Sequence, residues 1–122
     1  MQNSTHFDLE GFRKICRTDD LKEACGKRFI VDSESGQTIE IALFKIDETI
    51  YAVSNICPHQ HSALIYDGFI EDGCVVCPVH GWMFDLKTGK TKSGSGRLKV
   101  YDVKIINGEV FVKVTQQNFS LI

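Results

Sequence analysis

The chain has 122 residues, 43% of them hydrophobic and 25% charged. That suits a single globular domain with a real core and excludes both a disordered chain and a large catalytic domain. Fourteen basic residues against sixteen acidic ones give a net charge of −2, with no basic tract, so neither nucleic acid nor an anionic membrane surface is an expected partner.

The polar, acidic start from Met1 to Phe12 has no basic-then-apolar pattern, so no secretory signal is expected. Thr18-Asp19-Asp20-Leu21-Lys22-Glu23-Ala24 predicts the one short helix, capped by Thr18 or Asp19 and stopped by Gly26. Everything after it reads as strands and turns. Arg28 to Val31 is a short β-prone run, and Thr38 to Ile46 turns through Asp47-Glu48 into Thr49 to Asn55. In that second arm Ile50, Ala52 and Ser54 alternate with Tyr51, Val53 and Asn55. Phe69-Ile70 and Cys74-Val75-Val76 flank the turn Glu71-Asp72-Gly73, and Trp82 to Leu86 runs into Lys87-Thr88-Gly89. Lys92 to Gly96 predicts an exposed loop. Tyr101, Val103 and Ile105 share one face of a strand. Asn107-Gly108 supplies a type I′ turn, and Val110, Val112 and Val114 share one face of the return. Gln116 to Ile122 is expected to be a loosely docked tail. Many short strands separated by turn residues predict an all-β sandwich or barrel. No apolar run reaches the ~18 residues of a membrane helix.

Five cysteines are an odd and sparse set for a disulfide scaffold. With no secretion signal the expected compartment is the reducing cytoplasm, where clustered cysteines hold metal more often than disulfides. Two segments stand out: Cys57-Pro58-His59 and Cys77-Pro78-Val79-His80-Gly81, with seventeen residues between His59 and Cys77. Each offers one thiolate and one imidazole on a short loop that proline keeps out of a strand ladder. Two such loops facing each other make a pocket of two Cys and two His. A tetrahedral zinc accepts that set, although its usual spacing pairs Cys with Cys and His with His. One of each per loop suits a two-iron cluster, with thiolates on one iron and imidazoles on the other.

Cys57-Pro58-His59, the spacing to Cys77-Pro78-Val79-His80-Gly81-Trp82, and the following Phe84-Asp85 and Thr88-Gly89 together resemble the Rieske iron–sulfur family. The likeness is most specific from about Asn55 to Gly89. It implies one domain over residues 1–122, an incomplete antiparallel β-sandwich or barrel bearing a small cluster-binding subdomain, about residues 55–89, of two loops and one short helix. It also implies a 2Fe–2S cluster with Cys57 and Cys77 on one iron and His59 and His80 on the other. The histidine-bearing iron is the one that takes the electron in that family. Two neutral imidazoles in place of two thiolates make reduction easier, moving the potential from about −400 mV to about −150 to +300 mV.

Respiratory members of the family carry an extra cysteine in each loop, forming a disulfide; the matching positions here are Ser62 and Val79. Those members also place Ser and Tyr hydroxyls where this chain has Trp82 and Phe84. Fewer donors to sulfur imply a low-potential centre, below roughly −50 mV. Four histidines are too few for a second, mononuclear iron site of the kind large Rieske oxygenases carry. The implied function is therefore a soluble, ferredoxin-like one-electron carrier with no substrate chemistry of its own. Its implied partners are an NAD(P)H-dependent flavoprotein reductase and either a ring-hydroxylating terminal oxygenase or a nitrite reductase subunit. The Cys-Pro-x-His-Gly-Trp-x-Phe-Asp segment leans to the nitrite reductase small-subunit group. The alternatives are a structural zinc domain that binds partners and a redox sensor built on the same cluster.

The other candidate residues have plainer readings. Cys74 with Cys77 forms a C-x-x-C, but Val75-Val76 between them is strand-like, so Cys74 is expected to be a buried small hydrophobe. Cys16 and Cys25 are expected to be plain thiols, and His61 a loop histidine rather than a ligand. His6 has no assigned role. Trp82 and Leu64 are expected to pack around the cluster. Asp67, Glu71 and Asp72 are either solvated surface or an acidic rim for a basic partner.

Overall fold

The computed structural model of the protein describes residues 11–32, 36–58, 62–79, 81–92 and 96–114. Within them the chain forms β1 (Phe12–Arg17), β2 (Gly26–Asp32), β3 (Thr38–Ile46), β4 (Thr49–Ser54), β5 (Phe69–Glu71), β6 (Cys74–Val76), β7 (Met83–Asp85), β8 (Val100–Tyr101), β9 (Val103–Ile106) and β10 (Glu109–Lys113). The named helical pieces are the 3-10 turns Thr18–Asp20 and Ile65–Asp67, and among the described residues no helix is long and apolar enough to cross a membrane. The fold is all-β, as expected.

The strands form three antiparallel sheets, ordered β1-β10-β9, β2-β3-β4-β8 and β5-β6-β7. The four-stranded sheet is the middle layer. Alternation along β3 sends Ala42 and Phe44 into one core, shared with Val75 and Phe84 of the third sheet. Ile41 and Leu43 enter a second core, shared with Val110 and Val112 of the first sheet. A strand covered on both faces needs no polar face, which explains the unbroken apolar run Ile41–Phe44.

Turn chemistry fixes the hairpins. Asp72-Gly73 has φ of +52° and +75°, and Asn107-Gly108 has +51° and +76°, the left-handed pair that a type I′ turn requires.

Three expectations need correction. The helix Thr18 to Ala24 is a single 3-10 turn, after which Leu21 is extended and buried in the second core. Beyond its short local turns, the segment is stitched to the β3–β4 hairpin. Ala24 N–H donates to the Lys45 carbonyl at 2.7 Å, and the Glu23 carboxylate accepts from Asp47 N–H at 2.7 Å. Seven residues cannot recover the cost of helix nucleation against such partners. Gly26 opens β2 rather than ending a helix, and a Cβ there would strike the Tyr66 carbonyl and the Phe44 ring.

Second, β1 begins at Phe12, the last residue of the polar start, and continues through Arg17 over residues for which the sequence pattern predicts no element. Its register slips between Lys14 and Cys16, and this bulge hides the period-2 pattern. Third, the strand expected over Tyr101 to Ile105 breaks at Asp102. Tyr101 pairs with Ala52 in the middle sheet, Val103 with Val112 in the first, and Ile105 stays exposed. The loop Lys92 to Gly96 falls mostly, and His6 and the tail Gln116 to Ile122 wholly, outside the described residues.

Candidate metal centre

Each candidate loop leaves a strand end and closes on itself in the same way. Cys57 follows β4, and its N–H donates to the Ser62 carbonyl at 2.9 Å. Cys77 follows β6, and its N–H donates to the Trp82 carbonyl at 2.8 Å. In both loops the cysteine amide therefore meets the carbonyl five residues on. Gly81, at φ +75°, turns the second loop back, with its N–H on the Cys77 carbonyl at 2.9 Å.

Cys57 and Cys77 are each 1% exposed and belong to one buried cluster with Phe44, Ile65, Phe84 and Leu98. None of the five cysteines is in a disulfide. Around the second loop Pro78, Val79 and Gly81 are exposed. His59 and His80, like His61, lie outside the described residues. The sulfur half of the expected ligand set is thus brought into one buried region at the bases of two like-closed loops, which fits a group held by paired thiolates.

The remaining cysteines sit elsewhere. Cys74 is fully buried, and burial raises its thiol pKa. It stays a neutral small hydrophobe, as expected. Cys16 is buried in the second core, where burial, then the Asp20 carboxylate, pushes its thiol up to about 11. Cys25 is exposed. Trp82 packs against the core that holds both loop cysteines. Leu64, expected to pack there too, is 38% exposed. Two of the three acidic rim candidates, Glu71 and Asp72, stand away from the loops, while Asp67 precedes β5 at its Cys77 end. Register places Phe69 opposite Val76, next to Cys77, and Glu71 opposite Cys74. Glu71 and Asp72 therefore stand at the far end of the hairpin, roughly 10 Å or more from Cys77 at about 3.3 Å per residue.

One residue that carries the site went unassigned in the sequence. Asn55 is fully buried. Its Nδ2 donates to Glu40 Oε1 and to the Ala63 carbonyl, both at 3.1 Å, and its Oδ1 accepts from Tyr66 N–H at 2.8 Å. Its backbone bonds both Glu40 and Ile65. Glu40 in turn accepts from Arg28 Nε at 3.0 Å. The Asn55 amide, then the Arg28 guanidinium, lowers the Glu40 carboxyl pKa. Asn55 thereby ties the end of the first loop to the middle sheet. A signal existed, because alternation along β4 puts this polar residue on the same face as Tyr51 and Val53.

The Phe84-Asp85 and Thr88-Gly89 pairs have structural work here. Asp85 Oδ1 accepts from Lys87 N–H at 2.8 Å and Thr88 N–H at 3.0 Å, which lowers its carboxyl pKa, the Thr88 bond contributing most. Gly89, at φ +79°, lies against Leu98, where a Cβ would meet the backbone carbonyl.

Comparison with known proteins agrees with this arrangement. The family described as the Rieske-like [2Fe-2S] domain matches residues 11–113. The anthranilate 1,2-dioxygenase ferredoxin subunit of Burkholderia cepacia is 38% identical over 76 residues, 61% of this chain and 69% of that protein. The 3-phenylpropionate/cinnamic acid dioxygenase ferredoxin subunit of Photorhabdus laumondii subsp. laumondii is 35% identical over 106 residues, 84% of this chain and 94% of that one. Among solved structures, a chain from the complex of reduced oxygenase and oxidised ferredoxin in carbazole 1,9a-dioxygenase is 26% identical. Its TM-score is 0.69, over 81% of this chain and 98% of that one. A protein described as a small subunit of an NADPH nitrite reductase is 27% identical, with a TM-score of 0.73 over 83% and 96%. With the match spanning every described strand and both cysteine loops, the chain belongs to the Rieske-like [2Fe-2S] domain family.

Proposed function

We propose that this chain carries single electrons from an NAD(P)H-dependent flavoprotein reductase to the terminal oxygenase of a ring-hydroxylating dioxygenase. Cys57 and Cys77 hold one iron of the cluster, and His59 and His80 the other. The bound 2Fe–2S cluster supplies a one-electron couple whose potential is raised by imidazole ligation. The carrying observation is that two buried cysteines open two loops closed by the same amide-to-carbonyl bond, Cys57 to Ser62 and Cys77 to Trp82. Family membership sets aside the single-zinc alternative.

The chain's own residues position and shield. The Cys57 and Cys77 side chains anchor the inner end of the site in the core, where water is excluded and the local dielectric is low. The Asn55 network fixes the first loop, and Gly81 turns the second. Residues from about 55 to 89 form the cluster-binding part, and the two flanks form the base. Reduction by a pyridine-nucleotide-driven flavoprotein is consistent with a cytoplasmic location.

The 38% and 35% identities to dioxygenase ferredoxin subunits favour the oxygenase as acceptor. The nitrite reductase reading, to which the loop sequence leans, keeps the support of a 27% identical structure. One reconstitution tests both. The purified protein is mixed with NADH, a flavoprotein reductase and either an aromatic-ring terminal oxygenase or a sirohaem nitrite reductase. Chain-dependent aromatic cis-diol formation is expected. Chain-dependent nitrite reduction without any diol would overturn the assignment of acceptor. The ligand set is checked by metal and sulfide analysis. His59→Ala and His80→Ala are expected to lose or remodel the cluster and its visible spectrum, while His61→Ala keeps both. A normal spectrum in His80→Ala refutes the ligand assignment.

A further inference from the structure

We infer that the Ser62 hydroxyl donates a hydrogen bond to a bridging sulfide of the cluster and so favours its reduced state. This rests on the Rieske reading of the site. Ser62 closes the first loop through its carbonyl, which accepts from Cys57 N–H at 2.9 Å. Its Oγ is buried, and it is the one buried side-chain polar atom among the described residues with no hydrogen-bond partner. Its neighbours show how unusual that is. Ser54 Oγ accepts from Ile56 N–H at 3.0 Å, and both polar atoms of the Asn55 amide are bonded. A buried hydroxyl without a partner is costly, and native structures keep very few.

Among the described residues no protein atom takes this proton, the Cys57 sulfur included. The acceptor therefore lies outside the described residues, and the cluster held at the loop that begins at Cys57 supplies one. An inorganic sulfide is anionic and accepts hydrogen bonds. Its negative charge grows when the cluster gains an electron, so a donor held there binds the reduced state more strongly. The hydroxyl keeps its proton in both redox states, and only the strength of its bond changes. On the second loop side, Trp82 and Phe84 carry no hydroxyl, and Phe84 is fully buried in the core. The donor comes instead from the first loop, where Ser62 Oγ has no partner among the described residues.

The test uses cluster-loaded wild type, Ser62→Ala, Ser62→Gly and Ser62→Thr, each first checked for two irons and two sulfides. Midpoint potentials are read by spectroelectrochemical titration. Ser62→Ala and Ser62→Gly are expected to lower the reduced-to-oxidised ratio at a fixed potential about tenfold, which for one electron is about 59 mV. Ser62→Thr, which restores a hydroxyl, is expected to keep the wild-type midpoint. Vibrational spectra in deuterium oxide give a second readout. The bridging Fe–S stretches shift in wild type and shift less in Ser62→Ala. An unchanged midpoint and an unchanged deuterium response in both hydroxyl-free variants overturn the inference. If neither variant retains a cluster, the wild-type bands alone decide, and no deuterium shift in them also overturns it. A wild-type protein that binds no two-iron cluster refutes instead the reading on which the inference rests.

Discussion

Replacing Asn55 with alanine removes three side-chain hydrogen bonds at once, two near 3.1 Å and one of 2.8 Å. A bond whose partner regains water contributes a net ~1 kcal/mol, and one whose buried partner is stranded costs ~1–3 kcal/mol instead. Glu40 is the partner that regains water, and Tyr66 N–H and the Ala63 carbonyl are the groups stranded, so the expected loss is about 3–7 kcal/mol against a total stability of about 5–15 kcal/mol. For a domain of this size 3 kcal/mol corresponds to a fall in melting temperature of roughly 10–15 °C. The assay is a thermal melt of cluster-loaded protein, followed both by far-ultraviolet circular dichroism and by the visible absorbance. Because Asn55 holds the first loop, loss of the visible spectrum is expected to come at the same temperature as unfolding or earlier. Glu40→Gln is the control. It keeps an acceptor for Asn55 and forgoes only the half-exposed pair with Arg28, so it should cost less than ~1 kcal/mol. Asn55→Asp retains the acceptor for Tyr66 but sets a carboxylate against Glu40, and its deficit should shrink as acidification protonates one of the two. An Asn55→Ala protein within ~0.5 kcal/mol of wild type would refute the claim that this side chain fixes the loop.

Other outcomes follow from the same geometry. Gly89→Ala is expected to cost about 2 kcal/mol or more, since φ is +79° and the methyl meets the Leu98 carbonyl; urea unfolding measures it. Alkylation of the native protein is expected to label exposed Cys25 well before Cys16 or Cys74, which are buried with raised thiol pKa values; peptide mapping reads the order. The carboxyls of Asp85 and Glu40 are more acidic folded than unfolded. Their contribution is present above the ordinary carboxylate pKa and is lost as pH falls through the folded value. Acid unfolding of Asp85→Asn should therefore depend less steeply on pH below about 4. The midpoint potential of the wild-type protein is expected below roughly −50 mV, low in the family range, and a clearly positive value would contradict the shortage of donors at Trp82 and Phe84.

Local pattern was enough for much of the molecule. The β3–β4 hairpin, the type I′ turns at Asp72-Gly73 and Asn107-Gly108, and the loop pair opened by Cys57 and Cys77 are written in adjacent residues. Turn geometry and metal-ligand chemistry act over a few positions, so spacing alone exposes them. The elements that escaped are those settled by distant partners. The Thr18 to Ala24 segment looks helical until Lys45 and Asp47 claim its polar groups. The strand β1 is masked by a bulge that only pairing with β10 defines. Glu71 and Asp72 are close to Cys77 along the chain, yet the β5–β6 register sends them to the other end. Asn55 and Ser62 are ordinary polar residues in sequence. Burial makes one the tie that holds a loop and leaves the other a hydroxyl in need of an acceptor. Composition and motif thus determined the all-β class and the chemistry of the centre. Which polar groups serve it was decided by packing, because the cost of an unmet hydrogen bond exists only once water has been excluded.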